Sequence, residues 1–179
     1  MDVSQKYTIA DAEKTEGHAE LINGKMVIEN KTTSEHNLVV NDIVFALMSH
    51  IKANKGTCKV FSENIALYVN EICNDDSNYF LPDVMVVCED DSYDDKGVHN
   101  TPLFVAEVTS EETRVNDFNT KLDKYKQMKV AEYWIVDLQK KTIFKYLESE
   151  GYVPQAFMHP ESVSVSVYPG LTIDMTSYM

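Results

Sequence analysis

The sequence predicts a single α+β domain over residues 1–179, with a mixed central β-sheet flanked by helices. Three observations predict this class. A length of 179 residues suits one hydrophobic core better than two thin ones. Residues 82–88 and 103–109 are apolar runs without polar alternation, which is typical of central strands covered on both faces. A helical pattern near 112–129 separates the second run from an apolar strand at 132–137, and this order predicts a βαβ unit with a right-handed crossover.

Local signals place the elements of the first third of the chain. Thr8 is a suitable N-cap for a short helix over residues 9–15. Asn23-Gly24 between two apolar runs predicts a β-hairpin, because both turn residues need positive φ. Thr32 and Glu35 fit a capping box before a long helix. Its predicted core positions recur at helical spacing: Val39, Val40, Ile43, Val44, Leu47 and Ile51.

The remaining segments are shorter. Strands are predicted near 58–61 and 65–69, followed by an exposed acidic loop over 70–78. A hairpin over 142–158 turns at Glu150-Gly151, and a further strand covers 163–167.

The charge of the chain is strongly acidic, with 29 acids, 16 bases and a net charge of -13. This composition excludes a protein that holds nucleic acid by a broad basic surface. The charge is unevenly spread, since residues 71–95 carry nine acids and no base, whereas 114–145 carry eight bases and four acids. We expect an anionic ligand to meet the second stretch, unless both stretches are simply solvated faces.

Other classes are excluded by missing signals. No apolar run is long enough for a membrane span, and residues 1–11 lack the apolar region of a signal peptide. Cys58, Cys73 and Cys88 are odd in number and form no CxxC pair, which predicts reduced thiols in a cytoplasmic protein. The histidines lack zinc-site spacing, and no phosphate-loop, dinucleotide or nucleophile-elbow motif occurs.

Two carboxylates interrupt the predicted central strands. Glu107 lies within 103–109, and Asp83 opens the strand at 82–88. A buried carboxylate needs a compensating partner, and two of them on central strands favour a divalent cation. Asp83 alone is also compatible with an ordinary strand entry after Pro82.

The helix after Glu107 supplies a cation near these acids. Asp117, Lys121 and Tyr125 are spaced four apart, so Lys121 and Tyr125 can both lean over the sheet toward Glu107. The alternative is a Lys121–Asp117 pair on a wet surface. Glu20 in the first hairpin is compatible with an exposed edge.

The order of these motifs resembles one known family. The motifs are Glu20-Leu21-Ile22-Asn23-Gly24, His36, Pro82-Asp83-Val84, the run VAEVTS at 105–110, Lys121-Leu122-x-x-Tyr125 and EYWIVD at 132–137. From about residue 8 to 146 the chain resembles the Uma-type family of restriction endonuclease-like proteins. That family is catalogued as a domain of unknown function within the PD-(D/E)XK nuclease superfamily.

The resemblance implies a restriction-endonuclease-like core with a divalent metal, Mg²⁺ or Mn²⁺, at the sheet. Asp83 matches the motif aspartate, and Glu107 matches the second acid. The lysine usually found two residues later is replaced by Thr109, and Lys121 matches the family's lysine on the following helix. Tyr125 completes an element similar to QxxxY, Glu20 matches the hairpin acid, and His36 matches a histidine without an assigned role.

These residue types suit phosphodiester hydrolysis. Asp83, Glu107 and the Val108 carbonyl are expected to hold the metal, and Lys121 to orient the attacking water or stabilise the phosphorane. Glu20 is expected to hold a water or second metal, and Tyr125 to position Lys121 or a phosphate.

Three functions remain open at this stage. The first is a metal-dependent DNA endonuclease that binds DNA weakly and can form a homodimer. The second is a non-catalytic binding or dimerisation module with a vestigial metal site. The third is a hydrolase of small phosphate esters or nucleotides.

Overall fold

A six-stranded mixed sheet is the centre of the computed structural model, which describes residues 6–28, 33–89 and 92–179. Its strands are β3 (Lys59–Ser62), β5 (Val84–Val87), β7 (Phe104–Thr109), β8 (Glu132–Asp137), β9 (Thr142–Leu147) and β10 (Gln155–Met158). Their order in the sheet is β10-β9-β8-β7-β5-β3, and within this sheet only β7 and β8 are parallel. The predicted mixed sheet and the parallel pairing across the intervening helical segment are confirmed.

Smaller elements surround this sheet. The helices are α1 (Ile9–Lys14), α2 (Ser34–Ala53), α3 (Val69–Cys73), α4 (Arg114–Asn116) and α5 (Leu122–Met128). A π-helical turn, Asp117–Lys121, joins α4 to α5, and a 3-10 turn covers Glu148–Glu150. Three two-stranded sheets pair β1 (Ala19–Ile22) with β2 (Lys25–Ile28), β4 (Ala66–Leu67) with β6 (Gly97–Val98), and β11 (Ser162–Ser164) with β12 (Thr172–Asp174).

Both faces of the central strands are covered, as the missing polar alternation predicts. Val84 and Val86 of β5 pack in the core beneath α2, with its residues Val39 to Ile51 and the C-terminal segment. Met85 and Val87 of the same strand pack on the opposite face, in the core that contains Tyr125 and Met128 of α5. Successive side chains of a strand point to opposite faces, so a strand buried on both sides must be apolar throughout.

Turn and cap signals are confirmed where local chemistry decides them. Thr8 caps α1 through a capping box with Asp11. Asn23 and Gly24 both have positive φ, 51° and 76°, in the β1–β2 turn. Thr32 lies outside the described residues, and the N-cap of α2 is Thr33, whose side chain accepts a hydrogen bond from the His36 amide.

Two local predictions are wrong, those for residues 70–78 and for the cysteines. Residues 70–78 are not an open loop, because α3 occupies Val69–Cys73 and Asn78 is fully buried, accepting a hydrogen bond from the Asn23 amide. The helix predicted between β7 and β8 is present over residues 114–128, and a π-helical turn forms its middle part. Cys58 and Cys88 form a disulfide rather than two reduced thiols, since the β3–β5 register places them opposite each other, and Cys73 is the free cysteine. In the described ranges, no helix has the length and apolar character to cross a membrane.

Candidate metal-dependent nuclease site

Two neighbouring antiparallel strands bring the predicted carboxylates together. Val84 of β5 pairs with Ala106 of β7, so extending this register by one residue places Asp83 opposite Glu107. The Asp83 amide lies 3.5 Å from Glu107 Oε2, and the Val108 amide donates a 2.7 Å hydrogen bond to Asp83 Oδ2. Both side chains therefore lie at one end of the sheet, next to the Val108 backbone.

Lys121 is buried among acids rather than exposed on a wet surface. Its Nζ lies 3.0 Å from Glu20 Oε1, 3.2 Å from Glu107 Oε1 and 3.6 Å from Asp117 Oδ1. The side chain is 2% exposed. Lys121 therefore lies over the sheet, next to Glu107, and not on the solvent-exposed side of its helix. The π-helical turn ends at Lys121, and such turns are frequent at functional sites.

Glu20 is also buried, at 1% exposure, so the edge-of-hairpin interpretation is wrong. Its Oε1 accepts a 2.7 Å hydrogen bond from the Leu81 amide in addition to the Lys121 contact. The first hairpin is thereby anchored to the chain just before β5. Glu20 Oε1 is thus engaged by the protein itself.

Tyr125 contacts Glu107 directly. Its hydroxyl donates a 2.6 Å hydrogen bond to Glu107 Oε1, the oxygen that Lys121 also contacts. With Oε1 held in this way, Oε2 remains on the side of Asp83. Burial raises the pKa of Tyr125 well above its usual range, and the Glu107 charge raises it further, so the hydroxyl stays protonated as the donor.

Asp117 is a site residue to which sequence reasoning gave no catalytic role. It is 1% exposed, and in the described part of the chain neither carboxylate oxygen makes a hydrogen bond of good geometry. Burial raises its pKa, whereas the Lys121 charge and the nearby Thr109 and Thr113 hydroxyls lower it. Its spacing of four from Lys121 was visible in the sequence, but only its burial separates it from a surface ion pair.

The site has an excess of negative charge. Burial raises the pKa of Glu107 well above its ordinary value; Lys121 lowers it, and Asp83, Asp117 and Glu20 raise it again. One lysine thus faces four carboxylates. Carboxylate and carbonyl oxygens are the donors that Mg²⁺ prefers, so the donor set and the charge of Asp83, Glu107 and the Val108 carbonyl fit a divalent cation.

A cleft of about 670 Å³ opens onto this group. Its walls are the start of α2, the end of β7 with the loop that follows, and the residues after β8. Its lining includes Thr33, Glu35, His36, Asp83, Glu107, Val108, Thr109, Ser110, Glu111, Glu112, Thr113, Asp117, Lys121, Leu138 and Gln139. The titratable side chains among them are mostly acidic, which makes the metal-free cleft unfavourable for a phosphate.

The base-rich stretch 114–145 is less available to ligands than its composition suggests. Arg114 pairs with buried Asp137, and Lys124 lies 2.5 Å from Asp75. Lys141 pairs with Glu35, while Lys145 is buried and donates to the Ser164 carbonyl. Together with Lys121, five of the eight bases contact protein groups, because they compensate acids and carbonyls of the fold.

This fold and site define a nuclease-like α+β protein with a restriction-endonuclease-like core. Residues 4–176 match the family model of Uma2, described as "Putative restriction endonuclease", and the chain belongs to that family. The chain is similar in fold to a solved structure from Anabaena variabilis ATCC 29413, which is described as a "putative nuclease belonging to DUF820". It is 16% identical, with a TM-score of 0.73 over 96% of this chain and 98% of that chain, and so supports the fold. Comparison with curated proteins gives no significant match.

Proposed function

We propose that this protein is a metal-dependent phosphodiester hydrolase of the PD-(D/E)XK type that cleaves DNA internally. The observation that carries the proposal is the meeting of Asp83, Glu107 and Lys121 in one cleft, with Lys121 Nζ 3.2 Å from Glu107 Oε1. Family membership supports nuclease chemistry in general.

Asp83, Glu107 and the Val108 carbonyl would hold Mg²⁺ or Mn²⁺. When bound, such a cation neutralises charge on the phosphate and lowers the pKa of a water molecule. Because most titratable side chains of the cleft are acidic, the cleft repels an anionic substrate unless a bound cation compensates that charge. The electrostatics of these residues therefore supports metal dependence, as do their donor atoms.

The remaining residues have positioning and charge-stabilising roles. The Lys121 ammonium would donate a hydrogen bond to the attacking water or to the phosphate oxygens, where negative charge grows during displacement. Glu20 Oε1 and Asp117 Oδ1, 3.0 and 3.6 Å from Lys121 Nζ, keep that ammonium in place. Tyr125 fixes Glu107 Oε1 and thereby orients the other oxygen.

The proposal is tested by plasmid cleavage with Mn²⁺, alongside a salt titration of binding to the same DNA. Lys121→Ala should lose most cleavage but keep most binding, and Lys121→Met repeats the test with the side-chain volume retained. Asp83→Asn should lose both, because the metal is lost with the carboxylate. Lys126→Ala removes an exposed charge from α5 and should change neither strongly, which controls for loss of positive charge.

Two outcomes would reject the endonuclease. Tight binding to DNA without metal or cleavage, unchanged in Asp83→Asn and Lys121→Met, would establish a non-catalytic binding module. Metal-dependent hydrolysis of a small phosphodiester with intact plasmid would establish the small-substrate hydrolase.

A further inference from the structure

A second group of metal-ligand side chains adjoins the Asp83–Glu107 pair. His36 comes from the first turn of α2, Glu63 from the turn after β3, and Asp83 from the start of β5. One ligand atom from each of the three lies within 4.8 Å of the other two. His36 Nε2 is 3.2 Å from Asp83 Oδ1, and His36 Nδ1 is 3.8 Å from Glu63 Oε1.

The backbone holds all three residues in place. The His36 amide donates a 3.1 Å hydrogen bond to the side-chain oxygen of Thr33, the N-cap of α2. Asp83 Oδ2 accepts a hydrogen bond from the Val108 amide and so faces the Glu107 strand, whereas Oδ1 lies on the His36 side. The Glu63 amide donates to the Asp83 carbonyl at 3.2 Å, and Glu63 has a φ of 28°, a conformation that non-glycine residues rarely adopt.

Glu63 provides a second observation, because one of its carboxylate oxygens contacts His36 at 3.8 Å but lacks a hydrogen-bond donor among the described residues. Its side chain is 29% exposed, but Oε1 itself is buried and accepts no hydrogen bond from any described residue. A buried carboxylate oxygen without a donor costs free energy, and a cation between the three side chains would remove that cost.

We propose that His36, Glu63 and Asp83 form a second cation site that shares Asp83 with the Asp83–Glu107 site. The inference extends the proposed function and rests on it for the neighbouring cation. The two sites differ in their donors. Oxygen donors alone suit Mg²⁺, whereas an imidazole nitrogen with two carboxylates favours a first-row transition ion, and Mn²⁺ is a paramagnetic member of that series that we use as the probe. The His36 site therefore takes Mn²⁺ in preference to Mg²⁺.

Electron paramagnetic resonance of Mn²⁺ tests this assignment without any activity measurement. The wild-type protein should bind two Mn²⁺ ions per chain, and the spin-echo spectrum should show coupling to a ligand ¹⁴N. Excess Mg²⁺ should displace only the ion without ¹⁴N coupling. His36→Ala, the larger His36→Gln, and Glu63→Gln should each lose one ion together with the ¹⁴N coupling. His50→Ala, on the same helix but outside the site, should keep both.

Glu107→Gln separates this inference from the proposed function. It should lose the Mg²⁺-displaceable ion and retain the ¹⁴N-coupled one. If His36→Ala and Glu63→Gln keep both ions, the second site is overturned while the Glu107 site stands. If a single ion is abolished equally by His36→Ala and Glu107→Gln, a separate site is overturned. If Glu107→Gln leaves both ions bound, the His36 site stands and the proposed catalytic cation is rejected.

Discussion

The Tyr125 hydroxyl donates a 2.6 Å hydrogen bond to Glu107 Oε1, and both side chains are almost completely buried. Glu107 thus receives a neutral donor from Tyr125 and a charged donor from Lys121 on the same oxygen. Fully buried carboxylates are strongly destabilised unless such donors are present. This contact makes Tyr125 a structural support of the carboxylate that we place in the metal site.

We expect Tyr125→Phe to destabilise the metal-free protein more than Tyr133→Phe does. Both tyrosines are buried, and their rings lie 4.6 Å apart. The Tyr133 hydroxyl, however, donates a 3.2 Å hydrogen bond to the main-chain carbonyl of Asp117, which is uncharged. Hydrogen bonds to charged groups contribute about 1.5–3 kcal/mol and neutral ones about 0.5–1.5 kcal/mol. Urea unfolding at a pH above the raised pKa of Glu107 measures both losses, and equal losses there would contradict a charged acceptor at Glu107.

Metal binding should stabilise the fold through Glu107. At free metal about a hundred times the dissociation constant, one bound cation adds about 2.7 kcal/mol to the free energy of unfolding. Glu107→Gln should abolish most of this gain, while the metal-free variant remains as stable as the wild type or more so, because one of four crowded acids loses its charge. Thermal unfolding with and without Mg²⁺ measures the effect, because Mn²⁺ would also occupy the His36 site and stabilise both proteins.

Glu132→Gln is the matched control for that measurement. Glu132 is a fully buried acid on β8, but its oxygens are bound by the Trp134 indole and the Val167 amide, away from the cleft. Its metal-induced shift, taken relative to its own metal-free protein, should equal that of the wild type. Equal shifts in wild type and Glu107→Gln would argue against the assigned metal site.

His99 should make stability pH-dependent. Its ring nitrogens lie 2.9 Å from Glu71 and 2.9 Å from Asp94. Burial lowers the pKa of His99, but the hydrogen bonds and charges of Asp94 and Glu71 outweigh this effect, and the pKa is raised above 6.5. A raised pKa means that the folded protein binds the proton more tightly than the unfolded chain does, so this stabilisation is complete below about pH 6.5.

The stabilisation is then lost as the pH rises through the raised folded pKa. It also requires ionised partners, and the pKa of Asp94 is lowered by its hydrogen bond with His99. We therefore expect the difference in melting temperature between wild type and His99→Gln to be largest between about pH 4 and 6.5 and to shrink above that range. Asp94→Asn should reduce the dependence, and a difference that grows with rising pH would contradict the ion pair.

The Cys58–Cys88 disulfide should be visible by thiol counting. Without reductant, a denatured sample should show one free thiol, Cys73. Closing a loop of 30 residues stabilises a fold by about 3–4 kcal/mol in the chain-entropy model. Reduction or Cys58→Ser should lower the free energy of unfolding by about that amount, whereas Cys73→Ser should change it little. Three titratable thiols without reductant would show that the pair is not bonded.

Local chemistry made part of this architecture predictable from the sequence. The β1–β2 turn follows from the positive φ that Asn23 and Gly24 tolerate, and the central strands follow from unbroken apolar runs. The Thr8 cap is equally local. The prediction of an exposed loop over 70–78 is wrong, because the acidic composition of that stretch does not show that Asn78 is buried and accepts a hydrogen bond from the first hairpin.

The sequence by itself determined the order of the motifs and therefore most of the candidate site: Glu20, Asp83, Glu107, Lys121 and Tyr125. Only the tertiary structure decided that Lys121 is buried, that Asp117 belongs to its surroundings, and that Glu63 lies beside His36. Burial and proximity of residues from separate segments depend on strand register and helix packing, which no local pattern contains. The four-residue spacing between an aspartate and a lysine is the same in a solvent-exposed ion pair and in a buried site. Only the packing of the helix against the sheet distinguishes these two cases.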